Sequence, residues 1–367
     1  MLRLQLWHTA RRLPSGTLYA TQSAASRNSA AEVVRQRGDH VESEDLVAKS
    51  ATTGSATQLA GDLWLLDTRF QGAPGVIASY LLIGTHGLAL IDTGPGSTLP
   101  QLLAAVHAAG FEPRAIEHLI VTHVHLDHAG AAGQLAHLLP QARVCVHERG
   151  APHLADPSKL MASASRIYGE RMPSLWGEML PVPAQRLVAL RDGARLEVGN
   201  RTLEAVYTPG HAVHHIALHD AERGDLFAGD VAGVRLQGVG FVRPPTPPPD
   251  LSLEDWYTSL HRIEALRPQA LYLGHFGLVR DVPEHLSQLR RRLGMWGELT
   301  LAGLRRGDAD EALAATLERA SRDELRHASP AGSEDETVRR YEVSSNYLMS
   351  AQGYARYWRR YHPEALQ

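Results

Sequence analysis

Cys145 is the only cysteine among 367 residues, so no internal disulfide framework can brace this chain. In its strand-like setting, Arg143-Val144-Cys145-Val146, it reads as an ordinary buried thiol. Lysine is almost missing as well: only Lys49 and Lys159 occur, and arginine supplies the rest of the positive charge. The net charge of −3 leaves no global basic field to attract nucleic acid. No apolar run is long enough to cross a bilayer, so no membrane role is expected. Aromatic residues are a modest 6%, yet a hydrophobic fraction of 44% is ample for a core. The length suits one large domain with additions, or two domains.

Acidic residues are absent from one stretch, Met1 to Ala31, where Arg3, Arg11, Arg12 and Arg27 alternate with Leu, Ser and Ala. That composition resembles a mitochondrial transit peptide, but it lacks the apolar core of a secretory signal. A bacterial leader is the preferred reading, which places the protein in the cytoplasm, with the mitochondrial matrix as the alternative. Residues 32–60, with mixed charges and then Ser-Ala-Thr-Thr-Gly-Ser, read as a lead-in. Regular structure is expected from near Asp62.

What is present is concentrated in six residues, His123-Val124-His125-Leu126-Asp127-His128, directly after the apolar run Leu119-Ile120-Val121-Thr122. Residues two apart on an extended segment point the same way, so His123 and His125 can grip one ion. Asp127 and His128, past the bend, are left to face a second. With 20 histidines in the chain, a pair such as His214-His215 arises by chance; a full His-x-His-x-Asp-His does not.

This pattern resembles the metallo-β-lactamase superfamily of hydrolases, and four further segments match its order. Leu90-Ile91-Asp92-Thr93-Gly94 is similar to the family's early strand, whose aspartate supports the metals without having to bind them. Thr208-Pro209-Gly210-His211, Phe227-Ala228-Gly229-Asp230 and Leu271-Tyr272-Leu273-Gly274-His275 each close a strand-like run. Taken singly, His211 and Asp92 read as turn residues, Asp230 as a helix cap, and His275 as a half-buried side chain. Together they do not. The resemblance assigns His123, His125 and His211 to one metal, Asp127, His128 and His275 to another, and Asp230 to a bridge between them. Neutral imidazoles and carboxylates suit Zn2+, so two zinc ions are expected, with Fe or Mn as alternatives. Asp92 is expected to hold a ligand imidazole in place, with Thr122 and His215 as weaker candidates for the same duty.

The implied architecture is α/β, an αβ/βα sandwich spanning about 61–282, with a helical extension over 283–367. Strands are expected over Leu63–Thr68, Ala78–Gly84, Leu88–Asp92, Ile116–Thr122, Arg143–His147, Arg186–Leu190, Arg201–Thr208, His215–His219, Asp225–Ala228 and Ala270–Gly274. Helices are expected over Leu99–Ala109, Ala129–Leu139 and Leu253–Leu266, and then Glu284–Leu304, Ala309–Ala320 and Asp335–Tyr361. Pro152 to Pro183 reads as less regular, with a short helix over the site. Arg290-Arg291-Arg292 reads as a solvated helix face. Tyr347 and the other late aromatics read as packing or dimer contacts before substrate contacts. The proline-rich loop Val234 to Pro249 follows Asp230 and is expected to wall the pocket.

Within the superfamily, Asp230 and the missing secretory signal count against a β-lactamase proper, and His125 against the flavin-linked diiron reductases. No basic arm suits the tRNA-processing nucleases. What remains is a hydrolase that holds a hydroxide between two metals to cleave a small thioester, lactone or ester, with Asp127 and Asp230 as its catalytic carboxylates. The match to glyoxalase II-like thioesterases is incomplete at Val231-Ala232-Gly233-Val234-Arg235, where a glycine-rich stretch is expected. The lactonases' tyrosine near the metals has no counterpart legible here. A phosphodiesterase or ribonuclease on the same site, and a single-iron sulfur dioxygenase, are the alternatives. The partner is a small-molecule substrate, and a homodimer is compatible with the pattern.

Overall fold

The computed structural model describes residues 55–85 and 87–367. Its first sheet is laid out in chain order: β1 (Ser55–Ala60), β2 (Leu63–Asp67), β3 (Ala78–Ile83), β4 (Leu88–Ile91), β5 (Ile116–Ile120), β6 (Arg143–His147) and β7 (Leu187–Leu190). Neighbours are antiparallel as far as β4 and parallel beyond it. Parallel neighbours need a crossover, and helices supply each one. These are α1 (Leu99–Ala108), then α2 (Leu126–Ala129) with α3 (Ala132–Leu138), then α4 (Ala151–Ala155), α5 (Ser158–Tyr168) and α6 (Met172–Leu175).

The second sheet runs in space as β13 (Gly277–Val279), β12 (Ala270–Leu273), β11 (Asp225–Gly229), β10 (Ile216–Asp220), β9 (Arg201–Tyr207) and β8 (Arg195–Val198). Its parallel pair, β11 with β12, is joined through α7 (Leu253–Leu266). Ser252 caps α7 by accepting a hydrogen bond from the Asp255 amide, and Glu254 and Asp255 favour the helix's positive end. Leu253, Trp256, Leu260 and Ile263 recur at helical spacing and form the buried face.

Strand alternation divides the interior into three layers of apolar contact. Leu88 and Leu90 of β4 pack on the first sheet's helices, with Leu102, Val106 and Leu135, while Ala89 and Ile91 face the second sheet. In β11, Leu226 and Ala228 pack outward against Trp256 and Leu289. Phe227 points inward to Tyr80 and Tyr272, at ring separations of 5.5 and 4.8 Å. The result is the expected αβ/βα sandwich. The outer layer on the second sheet is completed by α8 (Val282–Arg306), α9 (Asp310–Ala328), α10 (Glu334–Ser344) and α11 (Tyr347–Tyr361).

Several expectations need correction. The strand β1 begins at Ser55, ahead of the anticipated start near Asp62, because it pairs along β2. The leader up to residue 54 lies outside the described residues. Segments β8 and β13 are edge strands of four and three residues, too short to read from pattern. Pro152 to Pro183 holds three short helices rather than one. The long helix expected over Asp335–Tyr361 is broken: Ser345 is extended, and Asn346 caps α11 by accepting from the Met349 amide at 2.8 Å. Cap chemistry therefore overrides a continuous helical pattern. Arg292 is not solvated. It is buried, ion-paired to Glu324, bonded to the Val242 carbonyl, and 3.9 Å from the centre of the Phe241 ring. Cys145 is buried in β6 as expected, and burial pushes its thiol up to about 11. Among the described residues no helix is long and apolar enough to cross a membrane.

Candidate metal centre

Five strand ends deliver the expected residues to one place. Asp92 follows β4, the His123–His128 segment follows β5, and His211, Asp230 and His275 follow β9, β11 and β12. Carboxyl ends of strands are where α/β sheets gather their sites, since the chain there is freed from the ladder. Within the histidine segment the backbone is extended at His125 and helical from Leu126. Past that bend the His128 ring lies 4.1 Å from the His123 ring, and these two residues also form a potential metal-holding group with Asp230.

The first group is His123, His125 and His211. His123 Nε2 lies 3.0 Å from His125 Nδ1, His211 Nε2 lies 2.9 Å from the same atom, and the two Nε2 atoms are 3.2 Å apart. Three nitrogens each at about 2.0–2.1 Å from a tetrahedral zinc would stand about 3.3 Å from one another. Hydrogen bonding fixes which nitrogen of the His211 and His123 rings carries the proton. His211 Nδ1 donates to the Pro245 carbonyl at 2.8 Å, so its Nε2 presents a lone pair. The Thr122 hydroxyl donates to Asp92, both oxygens at 3.0 Å, and thus accepts from His123 Nδ1 at 3.1 Å. His123 Nε2 is then a lone pair too, facing that of His211. Such a contact is repulsive unless a cation sits between.

The second group is Asp127, His128 and His275. His275 Nε2 is 3.2 Å from Asp127 Oδ2, and its Nδ1 donates to the Val76 carbonyl at 2.8 Å. His128 Nδ1 is 2.8 Å from Asp92 Oδ2, which leaves Nε2 facing Asp127 Oδ2 at 3.8 Å. Gly274 makes this possible, because a side chain there would collide with the His128 ring.

Asp230 stands between the groups. Its Oδ2 is 3.4 Å from His211 Nε2, and its Oδ1 is 3.2 Å from His128 Nε2 and 3.6 Å from His275 Nε2. His128 Nε2 and Asp230 Oδ1 are buried and, although 3.2 Å apart, are not aligned as a hydrogen bond and have no other hydrogen-bond partner. Unpartnered polar atoms are costly in an interior, and a metal ion would satisfy both. The donor set of imidazole nitrogens and carboxylate oxygens thus fits a metal.

Asp92, Thr122 and His215 lie directly against this cluster. Asp92 accepts from the Thr122 amide at 2.8 Å and serves both His123, through Thr122, and His128 directly. Its φ of 56° is a left-handed conformation that Asp tolerates better than most residues. His215 Nε2 accepts from the Asp230 amide at 3.1 Å, so its Nδ1 proton goes to Thr208 Oγ1 at 2.9 Å.

Charge balance follows the same division. Burial holds His123 and His215 far below the usual imidazole range and His211 down at about 4, which keeps these three rings neutral. Burial alone would depress His128, but Asp230, Asp92 and Asp127 outweigh it and raise that ring. Burial alone would raise Asp127, yet His128 and His275 bring it to about 2.

Two features were not legible in the sequence. Tyr168 on α5 has its phenol raised by burial and then by the Asp127 carboxylate, and its hydroxyl meets Met349 Sδ of α11 at 3.3 Å. No motif marks it, because only the packing of α5 brings it near. The carbonyls of Val76 and Pro245 are equally invisible, since every residue has one. Tyr347 is buried against Trp296 and Arg243 and so packs, in line with its expected role.

Fold and site define a metal-dependent hydrolase. A sequence model of the metallo-β-lactamase superfamily matches residues 72–275, more than half of the chain, and the protein belongs to that superfamily. It is 26% identical over 221 residues to a metallo-β-lactamase fold-containing protein of Sulfurisphaera tokodaii, covering 59% of this chain and 79% of that one. An acyl-coenzyme A thioesterase of Bos taurus is 31% identical over 47% of this chain and 63% of its own length. An atrochrysone carboxyl ACP thioesterase of Aspergillus fumigatus is 28% identical over 54% of this chain and 50% of its own. The chain therefore spans about half to two thirds of the two thioesterases. A metallo-β-lactamase family protein of Thermus thermophilus superposes with a TM-score of 0.62 at 25% identity, over 82% of this chain and 94% of that one.

Proposed function

We propose that the protein is a dinuclear metal-dependent thioesterase, acting on a small acyl thioester in preference to a lactone or simple ester. The observation that carries the dinuclear part is Asp230, whose two oxygens face different nitrogen groups, His211 on one side and His128 with His275 on the other. The thioester preference rests on the two relatives named as thioesterases, one acting on acyl-coenzyme A and one on an acyl carrier. Seven convergent ligands are more than a single iron needs, which favours this reading over sulfur dioxygenation. The net charge of −3 gives no overall basic field to favour a nuclease.

His123, His125 and His211 would hold one cation, Asp127, His128 and His275 the other, and Asp230 both, with zinc the best match to the donors. Bound there, two such cations supply Lewis acidity and bring a water to a pKa of about 7. The chain itself does the positioning. Asp92 and Thr122 lock two imidazoles, and the carbonyls of Pro245 and Val76 lock two more. Asp127, with 18% of its side chain exposed, would accept a hydrogen bond from the attacking water and aim it at the thioester carbonyl. The thiolate leaves as the carboxylate product forms. The cytoplasm remains the proposed compartment on composition alone.

The test is hydrolysis of a short-chain acyl-coenzyme A by zinc-loaded protein, followed by thiol release, with lactoyl-glutathione and an acyl-homoserine lactone in parallel. A kcat/KM above about 10⁴ M⁻¹s⁻¹ on either thioester, and a far lower value on the lactone, is expected. Faster turnover of the lactone would overturn the thioester preference.

A further inference from the structure

Beyond the ligands, one buried cation joins the C-terminal helices to the metal centre. Arg243 lies in the proline-rich loop and is wholly buried. Its guanidinium sits 4.0 Å from the ring centre of Tyr347 and 4.9 Å from that of Tyr341. Its Nη1 donates to Glu342 Oε1 at 2.8 Å and to the Ser345 carbonyl at 2.6 Å, at the break between α10 and α11. Burying a charge is expensive unless it is paired and stacked, so a wholly buried arginine on a loop calls for a reason.

The neighbours supply that reason. The Arg243 amide and carbonyl pair with Val234 at 2.8 Å each way, which closes the loop. Two residues on, the Pro245 carbonyl accepts from His211 Nδ1 at 2.8 Å. Next, Thr246 meets Gly353 of α11 so closely that no side chain could stand between the two backbones. At the other end of the loop, the Arg235 amide donates to the His275 carbonyl at 2.6 Å. Tyr341 and Arg292, both from the extension, bond the carbonyls of Phe241 and Val242. The loop is thus held on one side by the helices and presses on two of the expected metal ligands with the other. Proline at 244 and 245 makes the short link from Arg243 to the Pro245 carbonyl stiff.

We propose that Arg243 is a positioning residue for His211: clamped by Tyr341, Tyr347 and Glu342, it fixes the Pro245 carbonyl that sets the tautomer and aim of the imidazole. The C-terminal extension is then part of the metal site's support. This rests on the reading of His211 as a ligand, and the two can fail separately.

The experiment is zinc titration of the metal-stripped full chain against a chromophoric chelator, with thermal unfolding of the metal-free protein measured alongside. The proteins are wild type, His211→Ala, Arg243→Met and Glu342→Gln. Wild type should bind two equivalents and His211→Ala one; two unaltered equivalents in His211→Ala would overturn the ligand reading whatever Arg243 does. Arg243→Met should bind one equivalent as wild type does and the other about 10–100-fold more weakly, the usual effect of losing support to a ligand. Unchanged affinities, or an equal loss at both sites in step with a lower Tm, would make Arg243 a packing residue and overturn the proposal. Glu342 is 38% exposed at its side chain, so Glu342→Gln loosens the same guanidinium with little risk to folding. It should weaken the same site by a smaller factor. Should Arg243→Met not fold, unchanged zinc affinity in Glu342→Gln overturns the proposal by itself.

Discussion

The two halves of the sandwich supply the metal centre by different means. The first sheet contributes four side chains from one segment of six residues, His123 to His128, aimed by a single bend at Leu126. The second contributes three, His211, Asp230 and His275, each from the end of a separate strand. The first set is oriented locally: Asp92 and Thr122, on adjacent strand ends of the same sheet, hold His128 and His123. Two of the second set are oriented by distant backbone, His275 by the Val76 carbonyl and His211 by that of Pro245, while the Asp230 amide donates to the His215 imidazole beside it. A local loop can preorganise ligands by its own conformation; scattered ligands need the fold to hold each one. The halves should therefore respond differently to substitution.

The sharpest way to break the comparison is at the residue that both halves share. Asp230→Ala should lower turnover below detection and reduce zinc retention, measured by metal analysis after desalting, while circular dichroism shows a folded chain. Full activity would mean that the two groups work independently and that Asp230 does not join them. A more moderate effect tests the local half. Asp92→Asn keeps a residue suited to left-handed φ but removes the charge facing His128 and Thr122. It should weaken zinc binding about 10–100-fold with little loss of Tm, by chelator competition and thermal melts. A large fall in Tm with unchanged affinity would mark Asp92 as structural rather than orienting.

The smallest effect concerns the outer helices. Burial lowers His285 on α8 from the ordinary 6.5 to about 4, with its Nε2 donating to the Ala232 carbonyl at 2.7 Å. The folded state keeps this ring neutral and the unfolded state protonates it, so its contribution is present above 6.5 and lost as pH falls toward 4. His285→Gln should thus flatten the fall in Tm between those pH values relative to wild type. An unaltered pH profile would place the acid sensitivity elsewhere, in the histidines of the metal site.

How far the sequence could be read varies with the range of the interaction involved. The strands β4 and β11 were legible as short apolar runs closed by turn residues, a local signal, and α7 because cap and apolar spacing agree. The break at Ser345 was missed because a three-residue cap competes weakly, on paper, with a long helical pattern. Arg292 looked solvated because its two arginine neighbours suggest a charged face, while its own partners, Glu324 and Val242, are supplied by other elements.

The residues expected to hold metal were written in the chain, by residue type and by their places after strand-like runs, since imidazole and carboxylate are among the few side chains that bind such ions and the one cysteine lies elsewhere. The same reading placed Asp92, and it implied the αβ/βα layering through family resemblance. Tertiary structure alone decided which carbonyls fix His211 and His275, how Tyr168 meets Met349, and why an arginine is buried at position 243. A backbone carbonyl has no sequence signature, and a buried cation declares itself only when the rings and carboxylate that hold it arrive from elsewhere in the chain.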